Sequence, residues 1–109
     1  MRLTYVMKFV ADMDEAVTFY RDILGLNLKF QSPGWSEFVT GETTLALHLA
    51  SENNPAGACE LGFSVDDIEG FHREKSAAGV VFTRPPTDEH GTKLASFLDC
   101  DGAQVSVSA

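Results

Sequence analysis

The 109-residue chain has few cysteines and no long hydrophobic run. Its two cysteines, Cys59 and Cys100, are too few for a disulfide scaffold and lack the spacing of a zinc site, so a reducing cytoplasm is the expected location. No apolar stretch reaches the roughly 18 residues that a membrane helix needs. Lys8 and Asp12 interrupt any signal-peptide core near the N-terminus. The sequence therefore predicts a cytoplasmic protein with no membrane partner.

Basic residues are also scarce. Lys and Arg total 8 against 16 Asp and Glu, which gives a net charge of −8 at pH 7. A surface of that sign repels phosphate, so nucleic acid and anionic membranes are not expected as partners. Such a charge is sufficiently explained by solubility. If it bears on partners at all, it favours a small molecule that is neutral or cationic.

Helix signals occur once in each half of the chain. Asp12 followed by Glu15 is typical of a helix N-terminus, and Gly25 is typical of a helix end. Apolar residues between them recur at helical spacing and predict a helix over 13–24; they are Met13, Ala16, Val17, Tyr20, Ile23 and Leu24. A second helix is predicted over 67–78 and ends before Gly79.

Strand patterns surround both helices. The first half predicts strands over 3–10, 26–31, 35–40 and 43–50, and the second half predicts strands over 59–65, 80–83, 93–99 and 104–108. A polar linker over 51–57 separates the halves, and each half has the order β-α-β-β-β. The sequence thus predicts an α+β fold in one domain, with module one over about 1–50 and module two over about 58–109.

Alternation within the strands predicts which side chains face away from the helices. Ala46 and His48 take that face in the fourth strand, Glu60 takes it in the fifth, and Ser106 takes it in the last. These residues are small or polar, whereas their neighbours are apolar. We therefore expect curved mixed sheets around a solvated cleft.

Three segments carry a family resemblance: the run over 10–26, the strand Thr44-Leu45-Ala46-Leu47-His48 and the closing Phe97-Leu98-Asp99-Cys100-Asp101-Gly102. Together with the duplicated modules, they resemble the glyoxalase, bleomycin-resistance and extradiol-dioxygenase superfamily, also called the vicinal oxygen chelate proteins. The resemblance implies paired modules around a cleft that a homodimer commonly completes. In metal-dependent members, four side chains of that cleft hold a divalent ion.

Carried onto this chain, the resemblance places the four ligand positions at Tyr5, Ala46, Glu60 and Ser106. Only Glu60 is a strong ligand for a transition-metal ion, so neither the usual metal site nor another cofactor is expected. If a divalent metal does bind, the candidate ligands are Glu60 and His48, with Glu37 as a third.

Two further residues are open to two interpretations each. Trp35, the one tryptophan, could offer a stacking surface for a planar or cationic ligand, or pack under a loop or at a dimer interface. His90 lies in a segment without a strand or helix pattern, which could cover a cleft or be a plain surface connection. His72, among charged residues of the second helix, is expected to be a solvated surface residue.

Three functions remain compatible with the sequence. The first is a protein that binds and sequesters a small organic molecule without the usual metal site, as the resemblance to the antibiotic-resistance members implies. The second is a metal-dependent lyase, isomerase or dioxygenase with a relocated ligand set. The third is a metal-free enzyme in which Glu60 is the general base and Tyr5 the proton donor. The missing metal ligands favour the first, with a ligand cleft formed by Tyr5, Trp35, Ala46, His48, Glu60 and Ser106.

Overall fold

The computed structural model describes all 109 residues and divides the chain into two compact units. Module one is Thr4–Cys59, and module two is Glu60–Ala109 together with Met1–Leu3. The elements of the first half are β1 (Arg2–Val10), α1 (Met13–Thr18), a π-helical turn (Phe19–Ile23), β2 (Asn27–Gln31), β3 (Trp35–Val39) and β4 (Thr44–Leu49). Those of the second half are β5 (Cys59–Ser64), α2 (Ile68–Ala77), β6 (Phe82–Glu89), β7 (Thr92–Leu98) and β8 (Gln104–Ser108).

Module one contains a mixed sheet in the order β2-β3-β4-β1, in which β1 and β4 are parallel and the other neighbours antiparallel. The side chain of Asp12 caps α1 by accepting the Glu15 backbone N–H at 3.0 Å, as its position in the sequence predicts. One face of the sheet packs against the helix, and the buried core there is Val10, Met13, Val17, Phe38 and Leu47.

The end of the first helix differs from the prediction. Instead of continuing as an α-helix to residue 24, the chain widens after Thr18, and the Leu24 N–H bonds the Phe19 carbonyl five residues back at 3.0 Å. A wider turn rotates the residues that follow it around the helix axis. Ile23 and Leu24, which were predicted on the buried face, are consequently 70% and 54% exposed.

Module two repeats the arrangement with a smaller core. Its sheet has the order β5-β8-β7-β6, with β5 parallel to β8 and the remaining pairs antiparallel. Asp67 caps α2 by accepting the Gly70 N–H at 3.0 Å. The fully buried core is Ile68, Ala95 and Val107. Both helices are too short and too polar to cross a membrane.

The strand predicted over 80–83 is wrong in its extent, because β6 runs from Phe82 to Glu89 through two prolines. β6 is an edge strand of the sheet, and its pairing with β7 is interrupted between Arg84 and Thr87. Because Pro85 and Pro86 lie within that interruption, they remove no hydrogen bond that the pairing requires. His90 and Gly91 have φ of 52° and 86° and form the two-residue turn to β7. His90 therefore lies at a hairpin tip, and the expectation of a segment without strand or helix before it is wrong, because β6 extends to Glu89.

Both halves thus have the predicted β-α-β-β-β order, and the α+β class with two such modules is confirmed.

Candidate functional site

The face of the module-one sheet that points away from α1 brings several candidate residues together. Pairing between β3 and β4 places Glu37 opposite Ala46 and Trp35 opposite His48. Since paired residues share a face of a sheet, and every second residue of a strand does too, the same face can be followed onto β1. We call this surface the module-one open face; its residues are Tyr5, Met7, Phe9, Trp35, Glu37, Ala46 and His48.

Glu37 is the charged group of this face, and only 8% of the residue is exposed. Its Oε2 accepts a hydrogen bond from Trp35 Nε1 at 2.8 Å. Its Oε1 lies 3.8 Å from Lys29 Nζ, whose side chain is 60% exposed. A buried carboxylate is costly unless it is paired or hydrogen-bonded. Glu37 meets that requirement with one neutral donor and one loosely held ammonium group.

Aromatic rings line the same face beside Glu37. The Trp35 ring stands edge-on to His48 with centroids 5.8 Å apart, and Phe9 lies tilted against His48 at 5.4 Å. His48 Nδ1 lies 2.7 Å from the Leu49 carbonyl oxygen, a contact that requires the proton on Nδ1 and leaves the lone pair on Nε2. Neutral His48 can therefore accept a hydrogen bond at Nε2.

Tyr5 is half-buried on this face. Burial, and secondarily the negative charge of Glu37, raise the pKa of the Tyr5 phenol above its ordinary value of 10.0. Both causes disfavour the phenolate. Tyr5 consequently keeps its proton at neutral pH, so it can donate a hydrogen bond or a proton but is a poor ligand for a metal ion.

The corresponding surface of module two holds a second carboxylate. Pairing of β5 with β8 places Gly62 opposite Ser106, and alternation defines the module-two open face as Glu60, Gly62, Ser64, Gln104, Ser106 and Ser108. Glu60 is 9% exposed. Its Oε2 accepts from Ser106 Oγ at 2.5 Å, and its Oε1 accepts from Gln104 Nε2 at 3.2 Å. Two neutral donors therefore fix both oxygens of this carboxylate.

The four positions that the resemblance matched to metal ligands do not make a suitable donor set. Ala46 offers no ligand atom and is fully buried. Tyr5 is held as a neutral phenol. Both oxygens of Glu60 are hydrogen-bonded, one of them to Ser106, whose hydroxyl is itself a weak ligand. These residues do not fit a divalent ion bound in the usual way of the family.

One other cluster has metal-ligand atoms close together. Asp99, Cys100 and Asp101 are exposed, and their ligand atoms lie within 4.8 Å of one another. However, Asp99 Oδ1 accepts the backbone N–H groups of Asp101 and Ala103 at 2.9 and 3.0 Å. That bonding is the chemistry of a tight turn, and it accounts for Asp99 at this hairpin.

Several residues were missed or misjudged at the level of sequence. Glu37 was considered only as a third metal ligand, although its shared parity with Trp35 was a usable signal. Neither Lys29 nor Gln104 is predicted as a site residue from the sequence, since contacts between strands cannot be read without the register. His72 was expected to be solvated, but its ring packs edge-on against Phe82 with centroids 4.6 Å apart.

Comparison with known proteins defines the class of this protein. Residues 2–107 match the Glyoxalase/Bleomycin resistance protein/Dioxygenase superfamily, and the chain belongs to that superfamily. The resemblance seen in the sequence is thereby confirmed.

A curated relative and two solved structures illustrate the family. The chain is 28% identical over 127 aligned positions to a probable lactoylglutathione lyase of Synechocystis sp., covering 98% of this chain and 94% of the relative. A Streptomyces coelicolor methylmalonyl-CoA epimerase, solved with 2-nitronate-propionyl-CoA, superposes with a TM-score of 0.80 at 16% identity, covering 99% and 93% of the two chains. A superfamily member from Vibrio splendidus 12B01 gives 0.74 at 17% identity, covering 98% and 97%. At these identities the two structures support the fold alone.

Proposed function

We propose that this superfamily member binds a small organic molecule, neutral or cationic, without the four-ligand metal site of its metal-dependent relatives. The observation that carries the proposal is the pair of nearly buried carboxylates, Glu37 and Glu60, one on each open face. Each is oriented by neutral donors rather than neutralised by a close ion pair. Preorganised polar groups on a partly apolar surface are typical of ligand sites.

The other residues of the two open faces have distinct roles in this proposal. Trp35 provides a surface on which a ligand stacks, and His48 and Tyr5 supply an acceptor and a donor. Ala46 lies opposite Glu37 and is fully buried, so its place in the ligand cleft requires that the groups covering it move aside. Ser106 orients Glu60. If the ligand is turned over rather than held, Glu60 is the candidate base and Tyr5 the candidate proton donor.

A screen of small organic compounds by thermal shift, run with a chelator present, tests the proposal. Bound ligand raises the unfolding temperature by mass action. We expect hits among neutral and cationic compounds, with the shift reduced in Glu60→Gln and in Tyr5→Phe. Glu52→Gln, which removes a charge from the exposed linker, is the matched control and should leave the shift unchanged. The proposal would be contradicted if compounds raised the unfolding temperature only when the chelator is left out. It would also be contradicted if the thermal shift were the same in both variants as in the unchanged protein.

The second candidate is a metal-dependent lyase, isomerase or dioxygenase with a relocated site that uses His48 and Glu60. The curated relative, a probable lactoylglutathione lyase, favours it. The lone pair of His48 Nε2 is a suitable ligand atom. Metal content after gel filtration separates the two candidates, because a relocated catalytic site requires stoichiometric metal that both His48→Ala and Glu60→Gln release.

We further propose that the protein is a cytoplasmic homodimer. The proposal on assembly rests on family membership and on the small size of the chain, and sedimentation equilibrium tests it. A mass near 11.8 kDa at micromolar concentration would contradict the dimer.

A further inference from the structure

We infer that the module-one open face recognises an organic ammonium group, and that Lys29 holds the place of that group at Glu37 until a ligand displaces it. The inference rests on the proposed function and specifies the chemical class of its ligand. Three observations support the inference. The two oxygens of Glu37 have different partners, aromatic rings lie beside them, and the contact from Lys29 is long and solvent-exposed.

The two oxygens of Glu37 have partners of different kinds. Oε2 is fixed by the indole N–H of Trp35 at 2.8 Å, a distance typical of a good hydrogen bond. Oε1 lies 3.8 Å from the ammonium group of Lys29. The carboxylate is thus held in orientation by one oxygen and presents the other to a cation.

The rings around Glu37 suit the apolar part of such a ligand. A cation is attracted to the face of an indole, and a buried carboxylate beside the ring adds a Coulombic attraction. Edge-on packing of Trp35 against His48 fixes the orientation of the indole. Substituted ammonium ions carry an apolar surface that is poorly hydrated, so this combination favours them over small inorganic cations.

Lys29 shows that an ammonium group reaches this carboxylate, and also that it is held weakly. Its side chain is 60% exposed, whereas that of Glu37 is 10% exposed. An ion pair with one solvated partner at this separation is weak, because solvent screens the charge of that partner. Displacing Lys29 therefore costs little, and its ammonium group returns to water.

Module two lacks these features. Glu60 is hydrogen-bonded at both oxygens by neutral groups, and the module-two open face has serine, glycine and glutamine where module one has aromatic rings. The inference therefore applies to module one alone, and Glu60 variants provide an internal comparison.

A pair of probes with the same shape and different charge tests the inference. Choline carries a trimethylammonium group, and 3,3-dimethylbutan-1-ol is its neutral carbon isostere. Trp35 is the one tryptophan of the chain, so its fluorescence reports binding at this face. Because one cation–π contact with a neighbouring carboxylate is worth on the order of 1–2 kcal/mol, we expect choline to bind about tenfold more tightly than the isostere.

Two variants should move the choline affinity in opposite directions. Glu37→Gln keeps an acceptor for Trp35 Nε1 but removes the charge, and it should weaken choline binding about tenfold and abolish the preference over the isostere. Lys29→Gln removes the competing ammonium group and should tighten choline binding by a factor of about three. Glu42→Gln, an exposed change of the same charge between β3 and β4, is the control and should alter neither affinity.

The outcomes separate this inference from the proposed function. Equal binding of choline and its isostere, or no detectable binding of choline, would overturn ammonium recognition, while hits in the chelator-treated screen would still support small-molecule binding. Weaker choline binding in Lys29→Gln would show that Lys29 assists the ligand instead of competing with it, and would also overturn the inference. Because Lys29 is exposed, that variant is expected to fold even if Glu37→Gln does not.

Discussion

The two modules share a topology but use their buried carboxylates differently. In module one, Glu37 comes from β3, lies beside aromatic rings and keeps one oxygen for a loosely bound cation. In module two, Glu60 comes from the first strand, β5, and both of its oxygens are occupied by neutral donors. The difference teaches that the repeat duplicates the scaffold and not the surroundings of its carboxylates: Glu37 has an oxygen near a loosely held ammonium group, whereas both oxygens of Glu60 are hydrogen-bonded by neutral side chains.

The modules also differ in their cores, and this difference gives the largest expected effect. Phe38 is fully buried in module one, whereas Phe97 is only partly buried against the core of module two. Truncating a buried phenylalanine removes its transfer free energy and leaves a cavity, so Phe38→Ala should lower the free energy of unfolding by about 3–5 kcal/mol. Phe97→Ala should cost less. Urea unfolding measures both, and equal losses would contradict the difference in packing.

Removing the two carboxylates in turn should show that Glu60 contributes more to the stability of the fold than Glu37 does. Glu60→Ala leaves the half-buried hydroxyl of Ser106 without its acceptor and a cavity where the buried carboxylate was, so we expect a loss of about 1–3 kcal/mol in the free energy of unfolding. Glu37→Ala frees the indole N–H of Trp35, which is half-exposed and can turn to water, so its cost should be smaller. The reverse order of stabilities in denaturant titrations would contradict the assigned roles.

The ionisation of Tyr5 tests the charge of Glu37 directly. The pKa of Tyr5 is raised in the folded protein by burial and by Glu37, so Glu37→Gln should move it towards 10.0 without reaching it. The raised pKa also contributes stability that is fully present below pH 10.0 and is lost as the pH rises through the folded-state pKa. Absorbance titration of the phenolates, with Tyr5→Phe assigning the signal against Tyr20, measures both effects. An unchanged pKa in Glu37→Gln would show that burial alone causes the shift.

The smallest expected effect concerns the β6–β7 turn of module two. His90 has a φ of 52°, which asparagine and glycine adopt more easily than histidine. We expect His90→Asn to raise the free energy of unfolding by up to about 0.5 kcal/mol, because the strain is local and the site is a hairpin tip. Thermal unfolding is the measurement. A loss of stability would contradict this expectation and would mean that the His90 side chain makes a stabilising contact.

The order of the elements could be predicted from the sequence because it depends on local signals. Asp12 and Asp67 begin helices where helix caps are expected, and the alternation in β8 correctly separates the buried Val105 and Val107 from the residues of the module-two open face. In β4 the alternation assigns the faces but not the burial, because Ala46 on the open face is as buried as Leu47. The π-helical turn at Phe19 could not be predicted, since no residue of 19–23 marks where an α-helix widens.

The composition of the site was harder to predict than the fold. Tyr5, Ala46, Glu60 and Ser106 entered through the family resemblance, and their role in one ligand site stays a prediction. Glu37 joins the candidate site because the register of β3 and β4 places it opposite Ala46. Register depends on the packing of whole sheets rather than on the residues of one strand. The contact from Lys29, on a third strand, depends on a bulge between β2 and β3 that no short motif marks.

The central claim is that this chain binds its ligand without a metal ion, and the most direct test combines metal content with ligand binding on one sample. Protein purified without added metal or chelator would be passed through gel filtration, analysed for transition metals, and then titrated with a compound from the screen before and after chelation. We predict less than stoichiometric metal and an unchanged affinity after chelation. Stoichiometric metal that is lost in both Glu60→Gln and His48→Ala, together with loss of ligand binding on chelation, would contradict the claim and establish the relocated metal site.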